Sequence, residues 1–117
     1  MNNKVDINNS ICIKKYPIIT LCGSTRFKEE FMKAQKELTL KGNIVISLGL
    51  FGHSGDIKGL SQNTEEMLRE IHREKIDMCN EIYVINKNGY IGENAKNEIE
   101  YAIKKIKKFD ILNEKYF

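Results

Sequence analysis

Cysteine, arginine and uninterrupted hydrophobic sequence are all scarce in this chain of 117 residues. The longest apolar stretches are Ile44 to Ile46, continued by Leu48 to Phe51, and Ile82 to Ile85. Both fall far short of the roughly 18 residues that a membrane-spanning helix requires, so no membrane partner is expected. Met1 to Lys15 is polar and rich in asparagine, without the continuous apolar block of a secretory signal, and a cytoplasmic chain is expected. Cys12, Cys22 and Cys79 are odd in number and lack any CxxC spacing, which argues against both a disulfide framework and a structural zinc site. They read as reduced thiols, two of them core filler. No metal site is expected, and His53 and His72 read as an exposed loop histidine and a packed side chain.

Charge of one sign is lacking as well. Nineteen basic against sixteen acidic residues leave a net charge of +3, too mild to imply a nucleic-acid polymer as partner. The one dense cluster, Lys104, Lys105, Lys107 and Lys108, comes late in a helical pattern, where cations suit the negative end of the helix dipole. It reads as a solvated face. Only three arginines remain to be explained, and Arg26 carries the most information.

A chain of this length that is 41% hydrophobic and 30% charged makes one domain, able to bury roughly two thirds of its unfolded surface. Residues 1–15 read as a flexible N-terminal arm and residues 16–117 as the domain. Pro17 to Cys22 is short, β-branched and apolar on both faces, as a strand inside a parallel sheet should be. Phe27, Phe31, Ala34, Leu38 and Leu40 predict a helix over about 25–41, and Asn43 to Leu48 a second strand. A glycine-punctuated loop then runs to about Asn63, and a second helix opens at Thr64. Glu81 to Asn86 predicts the third strand. The loop Lys87 to Glu93 leads into a helix with the buried stripe Ala95, Ile99, Ala102, Ile103 and Ile106, and Phe109 to Leu112 closes the pattern as a short strand. This alternation predicts an α/β fold, three-layered and doubly wound in the flavodoxin or Rossmann manner, around a mainly parallel sheet of four or five strands. Ligands of such sheets bind beyond the carboxyl ends of the strands, where the strand order reverses.

Two segments fall there. In Cys22-Gly23-Ser24-Thr25-Arg26, Gly23 lets a ligand approach the backbone, and Ser24 or Thr25 serves as a helix cap or as an anion contact. An arginine in the first turn of a helix opposes the dipole, so Arg26 asks for an anion or a carboxylate nearby. The segment is neither a Walker sequence nor GxGxxG. In Gly89-Tyr90-Ile91-Gly92-Glu93-Asn94, followed by Lys96-Asn97-Glu98-Ile99-Glu100, the acids suit a helix N-terminus, but Glu98 lies beside the apolar stripe rather than on the lysine-bearing face. A carboxylate held there is partly desolvated, and is either paired or at work.

A buried strand ending in Gly-Ser-x-Arg, a strand Glu81 to Asn86, and a glycine loop running into x-Glu-Ile-x-Tyr-Ala together resemble the nucleoside 2-deoxyribosyltransferase superfamily, which includes deoxynucleoside monophosphate N-glycosidase-like proteins. The likeness spans Ile18 to about Leu112. It implies that Glu98 is the nucleophile, and that Gly23, Ser24 and Arg26 lie against the sugar and, in monophosphate-specific members, its phosphate. It further implies roles for Glu93 at the departing base and for Asn94 as an orienting amide. Gly89, Tyr90 and Gly92 belong to the substrate loop, with Phe51, Tyr90 and the loop from Gly49 to Gly59 closing over the base. The family's aspartate on the second helix has no match, since Arg73 stands at that position with Glu74 as the nearest replacement. Implied are a small nucleoside or nucleotide substrate, no cofactor, and a homodimer or higher homo-oligomer. The alternatives are a non-catalytic nucleotide-binding module of the same fold and a purely structural domain.

Overall fold

A computed structural model describes residues 15–51, 59–105 and 108–111, the last four by their backbone alone. The N-terminal arm up to residue 14, with Cys12, and the loop residues 52–58, with His53, lie outside the described residues. Strands and helices alternate as β1 (Ile18–Cys22), α1 (Lys28–Leu40), β2 (Ile44–Ile46), α2 (Gln62–Met78), β3 (Glu81–Val84), α3 (Glu93–Lys104) and β4 (Lys108–Ile111). Every strand pair is parallel, in the order β2-β1-β3-β4. Side chains are described on β1, β2 and β3, and β4 joins through backbone pairing of Glu81 with Lys108 to Val84 with Ile111. This is an α/β chain with a parallel sheet and three helices, compatible with a Rossmann-like fold. Among the described residues no helix is long and apolar enough to cross a membrane.

The period-two pleat of β1 explains how one strand serves two cores. Ile19 and Leu21 face α1, where Phe31 and Ala34 are buried with Phe51 and Ile85. Ile18 and Cys22 face the opposite way, into a second cluster with Ile76 and Cys79 from the end of α2, Ile82 and Val84 from β3, and Ala102 from α3. Thr20 shares that second face and is fully buried, a position an unpaired hydroxyl could not hold cheaply. Its Oγ1 donates to the Lys75 carbonyl oxygen at 2.8 Å, tying α2 to the central strand. The register places Thr20 between Ile46 and Ile82, so the strand order reverses at β1 and β3, whose carboxyl ends open side by side.

The helix starts differ from the sequence expectation for a local reason. Ser61, not Thr64, caps α2: its side chain accepts from the Thr64 backbone N–H at 3.1 Å, and the helix begins at Gln62. α1 begins at Lys28 without a side-chain cap, because Ser24 to Phe27 forms a turn closed by Phe27 N–H on the Ser24 carbonyl oxygen at 3.1 Å. Arg26 therefore sits ahead of the helix rather than in its first turn. Its charge rests on the Tyr90 ring, 4.4 Å from the centroid, and this ring contact takes the place of the compensating anion that a first-turn position would have required.

An ion pair fastens the β3–α3 loop to α1. Lys87 Nζ lies 2.7 Å from Glu30 Oε2, and this hydrogen bond holds the Glu30 carboxyl below its ordinary range. A carboxyl depressed in the folded chain adds stability above its unfolded value and loses it as pH falls through the folded one. Lys87 is 45% exposed, so solvent screening limits the pair to about 0.5 kcal/mol. Glu30→Gln should accordingly lower stability by about that amount at neutral pH and by nothing in strong acid, where the wild-type carboxyl is protonated too. Urea unfolding at the two pH values checks this, and an equal deficit at both would contradict it.

Candidate functional site

The two glycine loops meet over the carboxyl ends of β1 and β3. A Cβ placed on Gly92 would lie 3.5 Å from the Ser24 Cβ, and Tyr90 packs edge-on against Phe27 with centroids 5.8 Å apart. Ser24 Oγ accepts from the Arg26 backbone N–H at 3.3 Å, which holds the first loop in its turn. Ser24, Arg26, Tyr90 and Gly92 are thus brought together. Gly89 is at the exposed tip of the second loop with nothing within 4 Å of a Cβ built on it.

Beside this junction lies an open cleft of about 460 Å³, within the size range of small-molecule sites. Thr25 enters it from the first loop, Asn94 and Glu98 from α3, Leu48 and Leu50 from the segment after β2, and Leu68, His72 and Lys75 from α2. Glu98 is the residue whose half-burial the helical pattern foretold: its side chain is 19% exposed. Its Oε1 is buried and makes no hydrogen bond with any described residue, although His72 Nε2 lies 3.3 Å away. The approach is close but poorly aligned, and we read it as an electrostatic contact rather than a hydrogen bond.

Two residues do not stand where the sequence reading put them, and a third is demanded by packing. Phe51 does not hang over the cleft; it is 6% exposed and packs on Phe31 at 5.2 Å, because the chain leaving β2 turns its large apolar side chain into the α1 core. Gly23 is buried with φ +150°, and a Cβ there would meet Ile85 Cβ at 3.0 Å, Ile85 O at 3.1 Å and Phe31 Cζ at 3.2 Å. Packing of the chain on itself already demands a glycine at that position. Glu93 opens α3 as an exposed acid, favourable to the helix dipole, and does not line the cleft. Arg73 and Glu74 are both exposed and absent from the lining, so Glu74 does not fill the position at Arg73; the acid that α2 brings to the cleft is Glu65, near its start.

The site also holds residues that sequence reasoning passed over. His72, 6% exposed, touches both Glu98 and Cys22, whose Sγ lies 3.5 Å from the same Nε2. Burial first, then the charge of Glu98, pushes the Cys22 thiol well above its ordinary range. Lys75 donates through Nζ to the carbonyl oxygens of Ser47 and Leu48 at 2.7 and 3.1 Å, pinning the segment after β2, and its burial pulls its pKa down. Asn86, just beyond β3 and outside the cleft lining, is 1% exposed with neither amide atom partnered among the described residues. One signal was present: Leu68, His72 and Lys75 follow one another at helical spacing, which puts two polar residues on the inward stripe of α2. Comparison with protein-family models and with curated proteins found no match for this chain.

Proposed function

We propose that the chain is a doubly wound, nucleoside 2-deoxyribosyltransferase-like domain that cleaves or transfers the N-glycosidic bond of a nucleoside or nucleoside monophosphate, with Glu98 as nucleophile. The observation that carries this is a carboxylate oxygen buried in a cleft at the strand tips, with no hydrogen bond from any described residue and only the His72 imidazole in contact at 3.3 Å. Such an oxygen is poorly solvated and free to attack, which is the condition a nucleophile needs. Glu98 Oε1 bonds to the anomeric carbon as the C–N bond breaks, its electron pair leaving with the base. The base takes its proton from solvent at the open side of the cleft. Water or a second base then displaces Glu98 from the sugar. Asn94 orients the substrate, Tyr90 offers a stacking face, and Arg26, already at the loop junction, is the contact for a 5′-phosphate. The chemistry requires no cofactor.

Incubation with a panel of nucleosides and their monophosphates, following free base, tests the reaction. Arg26→Ala should weaken binding of the monophosphate about tenfold while leaving the parent nucleoside unchanged, the size of one charge-assisted contact. Titration calorimetry reads both, and equal losses for the two ligands would remove Arg26 from the phosphate.

One observation favours a second reading, a nucleotide-binding module without catalysis. The α2 position that carries an aspartate in the family holds an exposed arginine, and Glu74 points no acid into the cleft. Tight binding across the panel with no base released from any member would select that reading.

A further inference from the structure

We propose that Cys22, His72 and Glu98 form a three-ligand site for a divalent cation of borderline softness, zinc being the best match, with its fourth position toward the cleft. The three side chains come from β1, α2 and α3, and one ligand atom from each lies within 4.8 Å of the other two. Zinc bonds of about 2.3 Å to sulfur and about 2.0–2.1 Å to nitrogen or oxygen, at tetrahedral angles, place sulfur and nitrogen about 3.5 Å apart and nitrogen and oxygen about 3.3 Å apart. Cys22 Sγ to His72 Nε2 is 3.5 Å, and His72 Nε2 to Glu98 Oε1 is 3.3 Å. Two edges of the coordination tetrahedron therefore have the required length already. The third, sulfur to carboxylate oxygen, closes by rotation of the Glu98 side chain, which is 19% exposed at the cleft.

The hydrogen-bond arrangement points the same way. A single nitrogen, His72 Nε2, faces both the thiol and the carboxylate, and one N–H cannot serve two partners well. Glu98 Oε1 makes no hydrogen bond, and His72 Nδ1 is buried without a partner among the described residues. Buried polar atoms left this way call for an explanation. A cation at the centre gives one bond to each of the three inward-facing atoms and takes up the negative charge of thiolate and carboxylate; binding releases the thiol proton to solvent. Thiolate, imidazole and carboxylate together suit zinc better than calcium or magnesium, which prefer oxygen donors alone. Among the described residues nothing supplies Nδ1 with the outer hydrogen bond that supports most metal-bound histidines, and without it affinity should fall about 10- to 100-fold below a fully supported site.

This site does not depend on the glycosidic reading, but it shares Glu98 with it. A cation on Oε1 occupies the atom that would attack the sugar, so zinc and substrate compete wherever both proposals hold.

Cobalt(II) titration of the reduced, chelator-treated full chain tests the site. The expected result is strong visible absorption of tetrahedral cobalt together with a near-ultraviolet thiolate-to-cobalt charge-transfer band, both removed by equimolar zinc. Cys22→Ser should abolish the charge-transfer band, and Glu98→Gln should retain it while weakening cobalt binding about tenfold or more. Absence of the band in the wild type would overturn the proposal, as would a band that survives Cys22→Ser and so belongs to another cysteine. If Cys22→Ser fails to fold, Glu98→Gln decides alone, and unchanged cobalt affinity overturns the site. A chain that binds cobalt through Cys22 yet releases no base keeps this site and loses the glycosidic proposal; base release without the cobalt band does the reverse.

Discussion

Glu98→Gln should lower base release by about a thousandfold or more, equivalent to about 4 kcal/mol of transition-state stabilisation, with stability unchanged. The amide keeps the shape of the side chain but cannot form the glycosyl bond. Stability is expected to hold because Oε1 makes no hydrogen bond with a described residue for the substitution to break, and His72 Nε2 is only in poorly aligned contact with it. Ligand binding should survive within a few fold, since Thr25 and Asn94 line the cleft independently of this carboxyl. Initial rates of base release, read beside urea unfolding of the same preparation, separate the two effects. A variant that loses activity and stability together would instead make Glu98 a structural residue.

Gly23→Ala should destabilise the chain by about 3 kcal/mol, the largest stability effect expected from adding a single methyl group. Two costs combine. The backbone at φ +150° is strained for any residue with a Cβ, and the added carbon has no free space, with Ile85 at 3.0 Å and Phe31, itself fully buried, at 3.2 Å. The Ile85 carbonyl oxygen, 3.1 Å from the same point, is main chain and cannot swing aside. Gly89→Ala is the comparison without the second cost: its φ of +84° is also positive, but no described atom lies within 4 Å, so about 1 kcal/mol is expected. Equal losses in the two variants would show that backbone strain, not packing on Ile85 and Phe31, demands the glycine.

The sheet was legible because its strands are short apolar runs separated by helical periodicity. Ile18–Cys22, Glu81–Val84 and the helix at Glu93–Lys104 lie within a few residues of the segments read from pattern alone. The helix starts were less legible, since Ser61 and the turn at Ser24 to Phe27 are decided by individual hydrogen bonds and not by hydrophobic period. Glu98 could be picked out because its position beside the stripe of α3 is a one-helix property. His72 and Cys22 could not. Their meeting depends on the strand order β2-β1-β3, which lays α2 over the end of β1, and nothing in the spacing of two residues on separate elements announces it. Phe51 failed for a related reason: a large apolar residue in a glycine-punctuated segment reads equally as a lid or as core, and only the position of Phe31 decides between them.

Mass spectrometry of the enzyme quenched in acid during turnover examines the role of Glu98 most directly. A covalent sugar, or sugar phosphate, should appear on the peptide containing Glu98 in the wild type and be missing from Glu98→Gln, which also ceases to release base. Base release that continues in the variant, or a sugar attached to a different residue, would contradict the assignment of this carboxylate as the nucleophile.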